Sequence, residues 1–291
     1  MRVTVLGGAA WNRMINVERL PDGRNATIHP LRQHEAIGGA GAGKAMNLAR
    51  LGVAVTLHAG IGDDEPGRQV RAGLERTGVD LRATTDPTGT AQHVNLMDPA
   101  GGRVSIMLAN GSPDLPLDED GLAESMADAD VVVVDLAPWT PRAIPLARAS
   151  GRPIWTDLHD HDGSKEWHAP FIDAAEVVFV SHDRLASPAA FLESLIGQGK
   201  RLAVCTMAAA GAIALDAKGR AYEIPAVPDV EILDTNGAGD AFFAGVLLGV
   251  LSGVPMERSL RYGAIAGALA VTSPDLASAE LSPERLRSEA I

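Results

Sequence analysis

Residues 234–245 read Asp-Thr-Asn-Gly-Ala-Gly-Asp-Ala-Phe-Phe-Ala-Gly. Gly237, Ala238 and Gly239 leave the main chain almost bare, so a bulky anion can approach its N–H groups closely. The pattern then turns apolar, and Phe242, Phe243, Val246, Leu247, Leu248, Val250 and Leu251 predict a buried helix with Asp240 in its first turn. The free amides and positive end of such a helix favour a phosphate. A carboxylate beside that phosphate can take the proton of a hydroxyl attacking phosphorus. As local structure alone, the same residues make a tight turn and a favourable first-turn charge.

The rest of the chain alternates. Residues 3–6, 53–59, 131–136, 154–157, 177–180 and 202–206 are short apolar runs, and helical segments are expected near 45–52, 67–74, 119–128, 141–149, 187–197 and 282–289. Strand-helix alternation predicts an α/β fold, a doubly wound and mostly parallel sheet whose ligands sit beyond the carboxyl ends of the strands. Two regions break the rhythm. Around 12–37, segments 15–18 and 27–29 alternate about Pro21-Asp22-Gly23, and at 90–108 two alternating runs flank Asp98-Pro99-Ala100-Gly101-Gly102 as a hairpin. Strands with an exposed face do not belong inside such a sheet, so they are expected to form a small β-sheet lid inserted into one domain spanning 1–291. Gly7-Gly8, after the first strand, lacks the further glycine and the helix of a dinucleotide fingerprint.

Composition narrows the ligands. With 25 Lys and Arg against 37 Asp and Glu, the net charge is −12, which repels polyanions and argues against nucleic acid or an acidic membrane as partner. Small phosphorylated ligands must then be held by local N–H groups, a metal or single basic residues. Cys205 lies in an apolar run, reads as a core residue without a disulfide partner, and suits a reducing cytoplasm. No secretory leader is apparent, and the longest apolar stretch, 241–254, is shorter than the about 20 residues that span a bilayer.

The string Asp-Thr-Asn-Gly-Ala-Gly-Asp-Ala-Phe, through Asp240, resembles the C-terminal signature of the ribokinase-like (PfkB) carbohydrate kinases. Gly38-Gly39-Ala40-Gly41-Ala42-Gly43-Lys44 and the helix after it resemble the N-terminal signature, which in that family lies against the sugar, and Gly60-Ile61-Gly62-Asp63-Asp64 is similar too. The resemblance implies an ATP-dependent phosphotransferase acting on an alcohol group of a sugar or sugar derivative. Asp240 would be the base, the N–H groups of Gly237, Ala238 and Gly239 the anion hole, Mg²⁺-ATP the donor, and the lid a homodimer contact. A nucleoside kinase, or a ligand-binding relative without turnover, is the alternative. Nucleotide contacts are implied at Thr206, Gly211, Asn236, Gly237, Gly239 and Ser273, and a monovalent cation such as K⁺ at Asp234, which otherwise reads as a turn-capping Asp. Within Thr206-Met207-Ala208-Ala209-Ala210-Gly211, Ala208 stands where glycine is usual, a change without consequence unless the backbone there is left-handed.

The acceptor side departs from the family. Contacts are implied at Asn12, Gly38, Gly39, Gly43, Lys44, His93 and Asp240, but Asn12 stands where relatives often carry Asp, and Gly43 replaces the usual Asn. Lys44 then reads either as a sign of an acceptor bearing phosphate or carboxylate, or as a solvated lysine at a helix start. His93 is either an acceptor contact or a surface histidine. Ser181-His182-Asp183-Arg184 stands where relatives carry Asn-x-x-Glu, a motif tied to Mg²⁺ and phosphate, and Arg184 cannot replace a carboxylate at a metal. Residues 157–162, Asp-Leu-His-Asp-His-Asp, are read as a polar cleft loop in which Asp157 is a candidate Mg²⁺ contact; their composition also matches a transition-metal site. The acceptor stays open among sugars, sugar acids, sugar phosphates and nucleosides.

Overall fold

The computed structural model describes residues 1–99 and 101–290; Ala100 of the expected hairpin turn and Ile291 of the expected 1–291 domain lie outside the described residues. In chain order the strands are β1 (Arg2–Leu6), β2 (Ala10–Asn16), β3 (Arg32–Gly38), β4 (Ala54–Ile61), β5 (Asp80–Thr85), β6 (Ala91–Met97), β7 (Arg103–Ala109), β8 (Val131–Val134), β9 (Ile154–Asp157), β10 (Val177–Ser181), β11 (Leu202–Thr206), β12 (Ala212–Asp216) and β13 (Ala221–Ile224). The helices are α1 (Ala40–Arg50), α2 (Glu65–Glu75), α3 (Glu119–Ala127), α4 (Ile144–Ala149), α5 (Ala169–Ala174), α6 (Pro188–Gly197), α7 (Ala238–Leu251), α8 (Met256–Val271) and α9 (Pro283–Glu289).

A large sheet runs in the order β13-β12-β11-β10-β9-β8-β1-β4-β5, parallel from β11 to β5 and antiparallel where β12 and β13 extend it. Its centre is buried and largely apolar: β8 is four buried valines, and β9 and most of β10 are buried. Parallel strands covered on both faces require that composition. Because side chains alternate across a strand, Val131 and Val133 join a core with α1, α2, α7 and α8, whereas Val132 and Val134 join a second core with α3 to α6. Cys205 lies in the second core, fully buried. β1 sits between β4 and β8, so the chain winds one way to β5 and then the other way from β8 to β11. The crevice at such a reversal is where α/β sheets take ligands.

The second sheet has the order β3-β2-β6-β7, with β2 and β6 parallel and the other pairs antiparallel. Register places Asn12 opposite Ala36 on β3 and His93 on β6, and Met14 opposite Asn95. The strand expected at 27–29 does not form; that segment is exposed, and β3 begins only after Pro30, which cannot donate to a ladder. β5, β12 and β13 add to the strands expected; polar residues interrupt β5 and β13, whereas β12 is a short apolar run, Ala-Ile-Ala-Leu, ahead of Asp216.

Candidate active site at the start of helix α7

Gly237 precedes α7 with φ of 79°, a left-handed conformation that a side chain disfavours, and a Cβ there would come within 2.8 Å of Leu276 Cδ1. Among the described residues the amides of Gly237 and Gly239 find no acceptor, and that of Ala238 reaches only Thr235 O at 3.5 Å. A Cβ on Gly239 would meet nothing within 4 Å, so the space in front of this turn is open. Three weakly committed N–H groups at the positive end of a 14-residue helix make an anion site.

Asp240 follows in the first turn of α7, its side chain 11% exposed. Its Oδ1 accepts a hydrogen bond of 2.7 Å from Lys44 Nζ, while its Oδ2 receives no protein donor among the described residues. Burial pushes the Asp240 carboxyl up to about 6, against the pull of Lys44 and with a further push from Asp135. The second oxygen is thus open to an incoming hydroxyl.

Lys44 is neither solvated nor offered to a ligand. It lies in α1, where residues 41–48 are all buried, and its own side chain is 0% exposed. Besides Asp240, its ammonium reaches Asp135 Oδ2 at 3.3 Å and Asp157 Oδ2 at 3.2 Å, and lies 5.3 Å from the centre of the Phe243 ring. Burial opposes its charge, but Asp135, Asp240 and Asp157 together hold it above the usual lysine range. Both further carboxylates stand at the carboxyl ends of neighbouring strands, Asp157 closing β9 and Asp135 following β8.

His159 completes the cluster, with Nε2 3.1 Å from Asp135 Oδ1 and Nδ1 3.5 Å from Asp157 Oδ2. Burial works against its charge, yet Asp157 and Asp135 raise the imidazole to about 9. Both carboxylates resist protonation despite burial because Lys44 and His159 face them and hold their carboxyls below the ordinary carboxylate range.

The expected nucleotide contacts lie on separate segments of the chain. Thr206 ends β11, and Gly211 follows the turn 208–210. Ala208 has φ of 49°, so the missing glycine falls in the one conformation that alanine tolerates poorly. Asn236 accepts from Arg103 Nη1 at 3.3 Å, and Ser273 Oγ accepts from the Asp275 amide at 3.1 Å. Asp234 caps its own turn by accepting from the Asn236 amide at 2.7 Å, and burial raises its carboxyl.

On the acceptor side, Gly38 closes β3 over the side chain of Asn12, and Gly39 precedes α1. Asn12 is buried, and its Oδ1 has no partner among the described residues. His93 is half-buried beside it, burial lowering its imidazole. Asn95 accepts from Ser105 Oγ at 2.7 Å on a neighbouring position of the same face. Around Asn12 that face carries the amide of Asn95 and the hydroxyl of Ser105, and Arg32 and Arg103 stand further along it, opposite Asn16 and Met97.

Among the described residues no three or more His, Cys, Asp or Glu side chains are arranged to hold a metal. Residues 157–162 diverge: Asp157 and His159 serve the Lys44 cluster, His161 packs 4.7 Å from His168 and 5.3 Å from Phe191, and Arg184 reaches Asp160 at 3.5 Å and Asp162 at 3.9 Å. The reading of Asp157 as a Mg²⁺ contact does not fit, because two protein cations already occupy its carboxylate.

A model of the pfkB family carbohydrate kinases matches residues 2–140 and 170–283. The chain belongs to the pfkB family of carbohydrate kinases. Among the relatives of this pfkB kinase, an acarbose 7(IV)-phosphotransferase of Actinoplanes sp. (strain ATCC 31044 / CBS 674.73 / SE50/110) is 36% identical over 94% of this chain and 92% of its own. An ATP-dependent ribose-1-phosphate kinase of Halopiger xanaduensis is 30% identical over 92% of this chain and 91% of its own. The solved structure of a microbiome-derived acarbose kinase superposes with a TM-score of 0.86 at 26% identity, covering 99% of this chain and 98% of that one. The ribokinase-like fold and the kinase class follow.

Three members of the charged cluster of this pfkB kinase escaped the sequence reading: Asp135, His159 and the buried state of Lys44. One signal was present. Lys44 is the only charge in the stretch Ala40 to Ala49, and a lysine inside a helix without another polar face has to be paired.

Proposed function

We propose that this kinase transfers the γ-phosphoryl group of ATP to an alcohol group of a neutral sugar or glycoside, with Asp240 as the base. The observation that carries the proposal is the pairing of open amides at Gly237–Gly239 with the donor-free Oδ2 of Asp240 one residue on. Oδ2 takes the acceptor hydroxyl proton as the new O–P bond forms and the bond from phosphorus to the β-phosphate bridging oxygen breaks, leaving ADP. The amides stabilise charge building on the migrating phosphoryl group. Thr206, Gly211, Asn236 and Ser273 line the nucleotide side, and Asn12, Gly38, Gly39 and His93 the acceptor side. Mg²⁺ offsets phosphate charge in phosphoryl transfer and is bound largely by phosphates and water; the protein residues here do not form a cage for it, and no step is assigned to one. For K⁺ at Asp234 the support is the resemblance alone, since the turn cap accounts for that carboxylate.

The neutral character of the acceptor rests on Lys44. Its charge is spent on three carboxylates, so this lysine is not offered to an acceptor phosphate or carboxylate. Two of the similar proteins are named for acarbose, which makes acarbose the first acceptor to try. β7 presents Val104, Ile106 and Leu108 on one face at 40, 45 and 63% exposure, and we read that edge as the contact of a homodimer through the lid. Among the described residues no helix is long and apolar enough to cross a membrane, and the buried free Cys205 suits a cytoplasmic protein.

ADP release on acarbose, neutral monosaccharides, gluconate, ribose 1-phosphate, cytidine and adenosine tests the reading. A neutral sugar or glycoside should give the highest kcat/KM, and Asp240→Asn should cut its turnover roughly a thousandfold or more while ATP still binds. A nucleoside as best substrate, or unchanged turnover in Asp240→Asn, overturns it.

A further inference from the structure

Burying an ammonium and three carboxylates is costly, and an apolar replacement of similar volume usually serves stability as well or better. This chain nevertheless spends a fully buried lysine, Asp135 and Asp157 on one point, and that point is an oxygen of Asp240. Among the described residues, Asp135 and Asp157 otherwise accept only from His159 and from main-chain amides nearby. Their visible work is to hold the ammonium still.

The room for this contact comes from Gly43. A Cβ at that position would collide with Oδ2, Cγ and Cβ of Asp240, so a side chain there, including the Asn for which Gly43 substitutes, would move the carboxylate away. Gly43 and Lys44 are thus one device: the glycine admits the carboxylate against α1, and the lysine binds it there.

Resting on the reading of Asp240 as the base, we propose that Lys44 is a positioning residue for it: the ammonium, braced by Asp135 and Asp157, ties down Oδ1 so that Oδ2 alone is presented to the acceptor hydroxyl. The same charge favours the ionised carboxylate in a site whose burial and whose neighbour Asp135 disfavour it. The groups facing Asp240 are Lys44 from α1, Asp135 after β8, and Asp157 and His159 at the end of β9. When the proton reaches Oδ2, the lysine keeps its own, and the acid is reset by solvent after ADP and product leave.

The test uses the full chain, with acarbose as acceptor or, if acarbose is not turned over, the best sugar of the panel above. Asp240→Asn is measured first; if it keeps turnover, the base reading itself has failed. With that variant inactive, Lys44→Met should lower kcat about a hundredfold at neutral pH while KM for ATP stays within about twofold, and its acidic limb of kcat/KM should move up by one pH unit or more. Asp157→Asn keeps the lysine and removes a competitor for it, so its limb should stay or move down. A merely structural lysine would lower the folded fraction without moving either limb. If Lys44→Met does not fold, Gly43→Ala decides: it keeps every charge and displaces the carboxylate, and kcat should fall about tenfold or more with ATP KM unchanged. A folded Lys44→Met with wild-type kcat and limb, or an undiminished kcat in Gly43→Ala, overturns the proposal and leaves the base reading standing.

Discussion

Lys44 and Asp240 are 196 residues apart in the chain, yet their side chains meet inside the protein at 2.7 Å. As the proposed base, a carboxyl tied to a cation on one oxygen and raised to about 6 by burial must lose its proton before it works. kcat/KM should therefore be flat between about pH 7 and 8 and fall tenfold per unit below about 6, where the carboxyl is protonated and cannot accept. A profile that stays level to pH 4.5 would remove Asp240 from the chemistry.

His159 makes the cluster sensitive on the alkaline side. Its folded value, about 9, lies above the ordinary 6.5, so its contribution to stability is fully present below 6.5 and is lost as pH rises through about 9. Its side chain is 34% exposed, so solvent screens part of the effect. Wild-type Tm should drop between pH 7 and 9.5 by more than that of His159→Asn, a replacement that suits the left-handed φ of 50° at this residue. Equal drops would show that the imidazole carries no charge there.

Ala208 is a strained point in the turn between Thr206 and Gly211. Its φ of 49° costs alanine about 1 kcal/mol that glycine does not incur, partly offset by the looser unfolded chain of a glycine variant. Ala208→Gly should raise the urea midpoint slightly, by up to roughly 0.5 kcal/mol of stability, or leave it unchanged. A clear loss of stability would mean that the turn holds alanine without strain.

What the sequence made legible, and what it hid, divides along one line. The 234–245 string is contiguous both in the chain and in space, so Gly237, Gly239 and Asp240 could be read directly as a bare turn and a first-turn carboxylate. The buried valine runs likewise dictated the parallel sheet. Lys44 was illegible for the opposite reason. Its partners lie 91 and 196 residues away, and periodicity says which residues share a helix face but not what a loop after another strand turns toward it. The strand misread at 27–29 failed because alternation alone does not supply a partner, and β3 pairs with β2 only beyond Pro30.

The exposed face of β7 leads to an association test. Apolar side chains at 104, 106 and 108 on an open edge strand are an invitation to pair with another chain. Light scattering should give a dimer for the wild type and a monomer for Ile106→Lys, with Tm of the variant within a few degrees at matched concentration. A wild-type monomer would rule out the lid contact.

The two glycines of the proposed anion hole separate fold from function. At Gly237 a methyl group would meet both a left-handed backbone and Leu276, so Gly237→Ala should lose stability, by about 1 kcal/mol or more, together with activity. At Gly239 the backbone is helical and nothing stands within 4 Å, so alanine should hold or raise Tm, by up to about 1 kcal/mol of helix propensity. Yet that empty volume is where the migrating phosphoryl group would sit. Gly239→Ala should therefore be stable and folded, with kcat reduced about a hundredfold because the methyl group occupies space that only the phosphate uses. Full activity in a stable Gly239→Ala would place the phosphate elsewhere and detach the open turn from the reaction.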